Sequence, residues 1–301
     1  MKEEKKEFEK YKYYRIVYND KRNYSNSGLS KKLYSITKYN PEDYFKPVIE
    51  EGGDILEIIS DESEFKEHIC VSLIVLPFLN KEYKNSIEEK LEDLIRIYNI
   101  DNIHFSEIFS RSSPIRNCIE KFLEKYIEIV SVIKMSCLSF SENKIDLLNK
   151  LKLKESTNEE LFFILFWNLF ERIVIIFKNN DIFHLWFEQE YSLDIKAMNR
   201  IAQKLLDKLY SGLDYVYSKH PEKYISVLNK DVHFFSKKAL LYSSLADLVA
   251  YGSNKIKQKI DSGIPIKKIK RNHFLLMKTI KSIFINYSGL PIECLKVMEG
   301  I

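Results

Sequence analysis

Four carboxylates stand at the edges of apolar segments of this sequence, where a folded chain can bring them together. Asp61 follows the run "ILEIIS", Glu107 lies in "IHFSEIF", Glu188 follows "IFHLWF", and Asp247 lies inside "LLYSSLADLVAY". Carboxylates gathered at strand ends repel one another unless a divalent cation neutralises them. Their hard oxygens suit Mg²⁺ or Mn²⁺, and two such ions about 4 Å apart support phosphodiester hydrolysis. The pattern predicts a two-metal nuclease site with these four residues as its catalytic metal ligands.

Asp247 is the most informative of the four. Leu245, Leu248 and Val249 belong to the buried face of a predicted helix, and Asp247 lies on the border of that face. Because an unpaired buried charge is costly, the position predicts either a polar partner or a metal. A structural role is the alternative, since an Asp or Glu after a strand commonly caps a turn or a helix.

Two further side chains are candidates for the same site. His104 precedes Glu107 by three residues and could shuttle a proton, although a structural histidine is equally consistent with the spacing. Lys237 follows an aromatic pair and could contact a scissile phosphate, or it could be a solvated lysine. A second basic segment, "PIKKIKRNH", resembles a patch for backbone phosphates, with basic loop surface as its alternative; it contains Lys267, Lys268, Lys270 and Arg271.

The elements that must position these residues alternate between strands and helices. Strands are predicted at Ile55 to Ser60 and Ile69 to Leu76, and then a helix in "KEYKNSIEEKLEDLIRIYN". A helix beginning at Pro114, a strand in "VSVIKMSCLSF" and a buried helix with a capping signal in "STNEELFFILFWNLFERIVIIF" follow. Next come a strand in "IFHLWFEQE", a long helix in "LDIKAMNRIAQKLLDKLYSGLDYVY", a fifth strand or edge ribbon in "YISVLNKDVHFFSKK" and two closing helices. This order predicts an α/β fold, a mixed sheet flanked by helices.

Composition shifts divide the chain into three predicted segments. Residues 1–53 form a charged, tyrosine-rich extension, residues 54–260 the main domain, and residues 261–301 a C-terminal basic loop and helix. The tyrosines of the extension could stack on unpaired bases beside lysines. A docking arm for a protein partner or a second copy of the chain explains the same composition.

Charge and cysteine content narrow the function classes. The net charge is only +4, so any nucleic-acid site must be a local patch. The four cysteines lie far apart, which does not suggest zinc or a disulfide framework. The chain has no apolar leader and no run long enough to span a membrane, and we therefore expect a soluble cytoplasmic protein.

The motifs resemble those of a bacterial family, the RNase H-like "domain of unknown function 3800" family. The resemblance runs from about Asp54 to Ser253. Its members carry an Asp-Glu-Ser-Gly corner after a strand, an acidic middle motif, a Ser-Lys segment and a Gln-Leu-Ala-Asp-like helix. The counterparts here are Asp61-Glu62-Ser63, "IHFSEI", Ser236-Lys237 and Leu245-Ala246-Asp247, with Glu64 where glycine is usual.

The resemblance implies an RNase H-like fold and metal-dependent cleavage of DNA or RNA. Asp61 would be the ligand shared by both ions, Glu107 and Asp247 would complete the cluster, and Glu188 would take a strand-end position that is commonly Asp. A role in bacterial defence against phage or mobile elements is consistent with such an activity. The alternative is an RNase H-like module without catalysis that binds nucleic acid or a protein partner.

Overall fold

The computed structural model describes ten stretches of the chain, which fall into two compact units. One unit comprises Met1–Glu57 and Val174–Ala239, and the other Ile58–Ile173 and Leu240–Ile301. Each unit is thus built from two separate stretches, whereas the predicted division into three consecutive segments stays a prediction. The described residues are 13–18, 34–38, 55–77, 81–176, 182–188, 226–227, 232–235, 240–263, 271–283 and 286–288.

Nine strands and seven α-helices occur in the described stretches. In chain order they are β1 (Tyr13–Tyr18), β2 (Tyr34–Lys38), β3 (Ile55–Phe65), β4 (His68–Pro77), α1 (Lys81–Tyr98), α2 (Phe105–Ile108), α3 (Ile119–Val130), β5 (Ser136–Asn143), α4 (Lys144–Leu151), α5 (Asn158–Ile176), β6 (Ile182–Glu188), β7 (Ser226–Val227), β8 (Val232–Phe235), α6 (Ser244–Asp261), α7 (Arg271–Ile283) and β9 (Asn286–Ser288). A short 3-10 helix, Leu241–Ser243, precedes α6. None of the helices in these stretches is both long and apolar enough to cross a membrane.

The first unit contains strands from both ends of its sequence. β1 pairs antiparallel with β2 and with β8, and β6 pairs parallel with β7 and β8. The N-terminal segment that was predicted to be an extension therefore contributes two strands to a sheet, because "YYRIVY" and "YSITK" are rich in the aromatic and β-branched residues that favour strands. Strand structure in "YISVLNKDVHFFSKK" is confirmed by β7 and β8, but β8 pairs with both β1 and β6 and is therefore not at an edge. The long helix predicted from Leu193 lies outside the described residues.

The second unit confirms the predicted α/β class. Where the structure describes it, this unit has a mixed sheet of four strands in the order β3-β4-β5-β9, flanked by helices. β4 and β5 are antiparallel, with His68 opposite Asn143, and β5 and β9 are parallel. A two-residue turn joins β3 to β4, and its first residue, Lys66, has a φ of 54°. α6 packs on β4 and β5, and α7 packs on α6.

Small and polar residues bring α6 close to the sheet. Ser72 of β4 donates a hydrogen bond to the Ala246 carbonyl oxygen over 2.8 Å, and the hydroxyls of Ser139 and Ser253 are 3.0 Å apart. On a neighbouring face of the helix, a Cβ added at Gly252 would lie 2.6 Å from Ile280 Cδ1 of α7. α6 is therefore packed closely between β4, β5 and α7.

The sequence-based predictions were accurate for α1, α5, α6 and α7, did not include α2 or α4, and were wrong at the starts of α3 and β5 and at the end of β3. α5 begins with the predicted capping box, in which Thr157 Oγ1 accepts from Glu160 N and Glu160 Oε2 accepts from Thr157 N. α3 begins at Ile119 rather than Pro114, because residues 113–118 form successive turns. β5 begins at Ser136, and the preceding Val130 is the last residue of α3, where it continues the buried helical face of Phe122 and Tyr126.

A charge network joins the C-terminal end of α6 to β4 and β5. Lys257 Nζ lies 2.7 Å from Asp261 Oδ1 and 3.3 Å from Glu142 Oε1. His68 Nε2 lies 2.9 Å from Asp261 Oδ2, and Lys150 forms an ion pair with Glu142. Burial raises the pKa of both carboxyls, but the lysines, together with His68 at Asp261, outweigh it and hold each pKa below its usual value.

We expect this network to make the protein sensitive to acid. A carboxyl whose pKa is lowered by folding stabilises the folded state above its ordinary pKa, and that stabilisation is lost as the pH falls through the lowered value. Replacing Glu142 with Gln and Asp261 with Asn should remove roughly 1 kcal/mol at neutral pH and flatten the decline of unfolding free energy in acid. Urea denaturation at a series of pH values measures both. Glu128→Gln, at an exposed position of α3, is the control, and an unchanged acid slope in the double variant would contradict this role.

Candidate functional site

Asp247 lies in the first turns of α6 and is buried, with 5% of its surface exposed. Its Oδ2 accepts a hydrogen bond of 2.7 Å from the backbone N–H of Phe105, the first residue of α2. The residue before that helix, His104, forms no side-chain cap, so Asp247 supplies the acceptor that this helix start lacks. The expectation that the carboxylate has a polar partner is confirmed, and the partner is a backbone N–H.

His104 lies between Asp247 and Glu107. Its Nε2 is 3.9 Å from Asp247 Oδ1, and its Nδ1 is 3.6 Å from Glu107 Oε1 and 2.9 Å from Ser106 Oγ. The Glu107 side chain is 71% exposed, whereas that of Asp247 is 7% exposed. An imidazole between a buried and an exposed carboxylate can transfer a proton between the protein interior and solvent. We call His104, Glu107 and Asp247 the acid–histidine cluster.

Asp61 is not at a corner, which corrects the sequence-based prediction. β3 does not end before Asp61 but continues to Phe65, and the turn comes at Lys66. Exposure alternates along this part of the strand, so Asp61, Ser63 and Phe65 share one side of it. A polar run can continue a strand when only alternate residues face the protein interior. The run "DESEF" has this pattern, although its polar composition alone indicates a turn.

The backbone of Asp61 lies close to that of α6. Ser72 Oγ, which donates to the Ala246 carbonyl oxygen, is also 3.5 Å from the Asp61 carbonyl oxygen. Ala246 directly precedes Asp247, so the strand residue and the helix residue of the predicted site are linked through one serine hydroxyl. Asp61 Oδ1 accepts a hydrogen bond of 2.7 Å from the backbone N–H of Glu62.

Glu64 lies on the other side of β3 from Asp61. It occupies the position at which the family that the motifs resemble has glycine. Its carboxylate accepts hydrogen bonds from Lys144 at 2.5 Å and from Asn158 at 2.6 Å. The Lys144 ammonium holds the pKa of the Glu64 carboxyl below its usual value. Glu64 therefore ties the starts of α4 and α5 to the sheet and does not lie beside Asp61 on its side of the strand.

The negative charge of Asp247 contributes to a raised pKa at two tyrosines. Burial, and then Asp247, raises the pKa of Tyr251 to about 12, and its ring stacks on Phe109 with the centroids 6.0 Å apart. Burial also raises the pKa of Tyr126, reinforced by Asp247 and Glu88, while its hydroxyl lies 2.8 Å from Ser244 Oγ. Both hydroxyls are therefore protonated at neutral pH, and each can donate a hydrogen bond.

Sequence reasoning missed Glu88, a buried residue of α1 that positions the start of α6. Its Oε2 accepts a hydrogen bond of 2.8 Å from Leu241 N, and its Oε1 accepts one of 3.3 Å from Tyr242 N. Both N–H groups lie at the start of the 3-10 helix that precedes α6. Asp247 lies three residues after the first residue of α6. The signal was present, because Glu88 lies beside Ile87 and three residues before Leu91 on an otherwise apolar helix face.

The carboxylates of the predicted metal site are of the right donor type for Mg²⁺ or Mn²⁺, since both prefer hard oxygen ligands. The structure brings Asp247 and Glu107 together around His104. Over the stretches that the structure describes, no three His, Cys, Asp or Glu side chains form a group that could hold a metal ion. The metal site therefore stays a prediction.

The remaining predicted residues belong to other parts of the chain. Glu188 is the last residue of β6, in the other compact unit, and its side chain is outside the described part of the structure. Lys237 also lies outside the described residues, as do Lys267, Lys268 and Lys270, whereas Arg271 is the first residue of α7. The chain matches no protein-family model, and no similar protein was found among curated sequences or solved structures.

Proposed function

We propose that the protein is a metal-dependent nuclease with an RNase H-like fold that hydrolyses phosphodiester bonds of DNA or RNA. The observation that carries this proposal is the arrangement of Asp247, a buried carboxylate with Oδ2 fixed by the Phe105 N–H and Oδ1 facing His104. Asp61, on the strand linked to α6 through Ser72, supports it. The resemblance in motif order supports it as well.

The proposed ligands of Mg²⁺ or Mn²⁺ are Asp61, Glu107 and Asp247, and Glu188 stays a candidate from the sequence alone. When bound, the metal lowers the pKa of a water molecule and stabilises charge on the leaving oxygen. His104 would take or give a proton at Nε2, and Ser106 Oγ, 2.9 Å from Nδ1, would orient the ring. Lys237 stays a candidate for a phosphate contact from the sequence alone.

The second candidate is an RNase H-like module that binds nucleic acid or a protein partner without cleaving. One observation favours it: the hydrogen bond from Phe105 N to Asp247 Oδ2 caps α2, which is a structural role that needs no metal. The two candidates share the same fold. They differ in whether the protein cleaves nucleic acid.

Incubation of the purified full chain with labelled DNA and RNA, single- and double-stranded, tests the proposal. We expect cleavage with Mg²⁺ or Mn²⁺, none in EDTA, and loss of cleavage in Asp61→Ala with nucleic-acid binding retained. Asp146→Ala, an exposed acidic position on α4, is the matched control and should cleave normally. Absence of cleavage under every metal condition would contradict the nuclease and leave the binding module.

A further inference from the structure

Three lysines lie together where β3 turns into β4 beside the C-terminal half of α6. Lys66 is in the turn, and Lys255 and Lys259 are one helical turn apart on α6. Within the described residues none of the three forms an ion pair with a carboxylate, although neighbouring Lys257 and Lys144 each do. We call Lys66, Lys255 and Lys259 the lysine cluster.

Lys255 is held in place by aromatic rings. Its Nζ lies 2.9 Å from the centroid of the Phe65 ring and 5.6 Å from that of Tyr251, and Lys66 Nζ lies 5.8 Å from the Phe65 ring. Ring faces attract cations, so these contacts fix a partly buried ammonium that has no acidic counter-charge among the residues that the structure describes. Burial, then Lys259 and Lys66, lower the pKa of Lys255 to about 8. A bound anion would offset the mutual repulsion of the three ammonium groups and would compensate the partly buried charge of Lys255.

The lysine cluster is aligned with the acid–histidine cluster along one side of α6. Asp247, Tyr251 and Lys255 are spaced four residues apart, which places them on one face of the helix. The rise of 1.5 Å per residue puts Lys255 about 12 Å from Asp247. A stacked strand of nucleic acid advances about 3.4 Å per nucleotide, so this separation corresponds to roughly three or four nucleotides.

We propose that the lysine cluster binds a backbone phosphate of the polynucleotide strand on which the acid–histidine cluster acts, roughly three or four nucleotides from the reacting phosphodiester. This inference rests on the proposed function, and it adds the residues that hold the strand at a phosphate away from the reacting phosphodiester. The ligand is recognised by its phosphate charge, so neither base sequence nor the sugar type enters the contact.

Binding of fluorescently labelled oligo(dT) and oligo(rU) by the full chain in EDTA tests the inference without requiring cleavage. Lys255→Met keeps the methylene stem over Phe65 but removes the charge, and it should weaken binding of both oligonucleotides roughly fivefold at low salt. The slope of log K against log salt should fall in magnitude by about 0.7. Lys255→Arg should restore both values. Lys90→Gln, at an exposed position of α1, is the matched control and should leave both unchanged.

A second readout separates a phosphate contact from a merely structural one. If the parent protein cleaves, Lys255→Met should lower kcat/KM on an oligonucleotide and leave it unchanged on a dinucleoside monophosphate, which is too short to reach the cluster. Unchanged affinity in Lys255→Met, an equal loss in Lys90→Gln, or no binding by the parent protein overturns the inference. Competition by inorganic phosphate at the same phosphate concentration as the oligonucleotide also overturns it, since the cluster would then take free phosphate. Polynucleotide binding that depends on Lys255 in a protein that never cleaves refutes the nuclease but sustains the inference.

Discussion

An Asp247→Asn variant is expected to bind polynucleotide but to cleave it at least about a hundredfold more slowly than the parent protein. Asparagine has nearly the same shape, and its amide oxygen can still accept the hydrogen bond from Phe105 N that caps α2. What it loses is the negative charge at the oxygen that faces His104. The substitution therefore separates the chemistry of the carboxylate from its structural role. Cleavage rates and thermal denaturation of the same preparations are the two measurements.

Two further variants, Asp247→Ala and Asp146→Asn, are the controls for this experiment. The alanine variant removes the cap as well as the charge, and should lose about 1 kcal/mol or more of unfolding free energy that the asparagine variant keeps. Asp146 is an exposed residue of α4, and its amide variant should behave as the parent does. Normal cleavage by Asp247→Asn would show that the carboxylate is only a helix cap.

A Glu88→Ala variant is expected to have the largest effect on stability, about 3 kcal/mol of unfolding free energy. The substitution leaves the buried backbone N–H groups of Leu241 and Tyr242 without the oxygens that accept from them. Removing the buried charge recovers some desolvation energy, but the helix start that precedes Asp247 loses its anchor. Urea denaturation should show a lower midpoint, and thermal denaturation a fall of roughly 6 °C or more.

Two variants of α1 control for this prediction. Glu89→Ala makes the same chemical change at an exposed position of the same helix, and should alter the unfolding free energy by less than about 0.5 kcal/mol. Glu88→Gln keeps one acceptor oxygen and should lie between the parent protein and the alanine variant. Equal stability of Glu88→Ala and Glu89→Ala would mean that water replaces the carboxylate at no cost.

The helices were the most predictable part of the fold, because their information is local. Ile87, Leu91 and Leu94 recur at helical spacing, and all three are buried in α1. Thr157 and Glu160 form a capping box within four residues of sequence, and this local pattern indicates the start of α5. The start of α3 was less predictable, since Pro114 is compatible with the turns that precede a helix as well as with its first residue.

The site was predictable in its residues but not in its contacts. Asp247 was identified as a carboxylate that needs a partner, yet that partner is a backbone N–H 142 residues away in sequence, which no side-chain pattern records. Asp61 was placed in a turn because four polar residues follow one another there, whereas their alternation in exposure carries the strand through to Phe65. Lys255 was not predicted as a site residue, because its contact with Phe65 joins a helix to a strand that is distant in sequence.

The hydrogen bonds between α6 and the sheet have a consequence for how this site can vary. An apolar helix face alone tolerates sliding along a sheet or rotation about the helix axis, because hydrophobic contact is not directional. Ser72 with the Ala246 carbonyl, Ser139 with Ser253, and Asn254 with Ser63 are satisfied together in only one position of the helix. A screw motion by a single residue would break all three pairs and turn Asp247 away from His104 by about 100°. Changes at this site are thus expected to arise in the segments around α6, because the three hydrogen-bonded pairs fix the position of the helix itself.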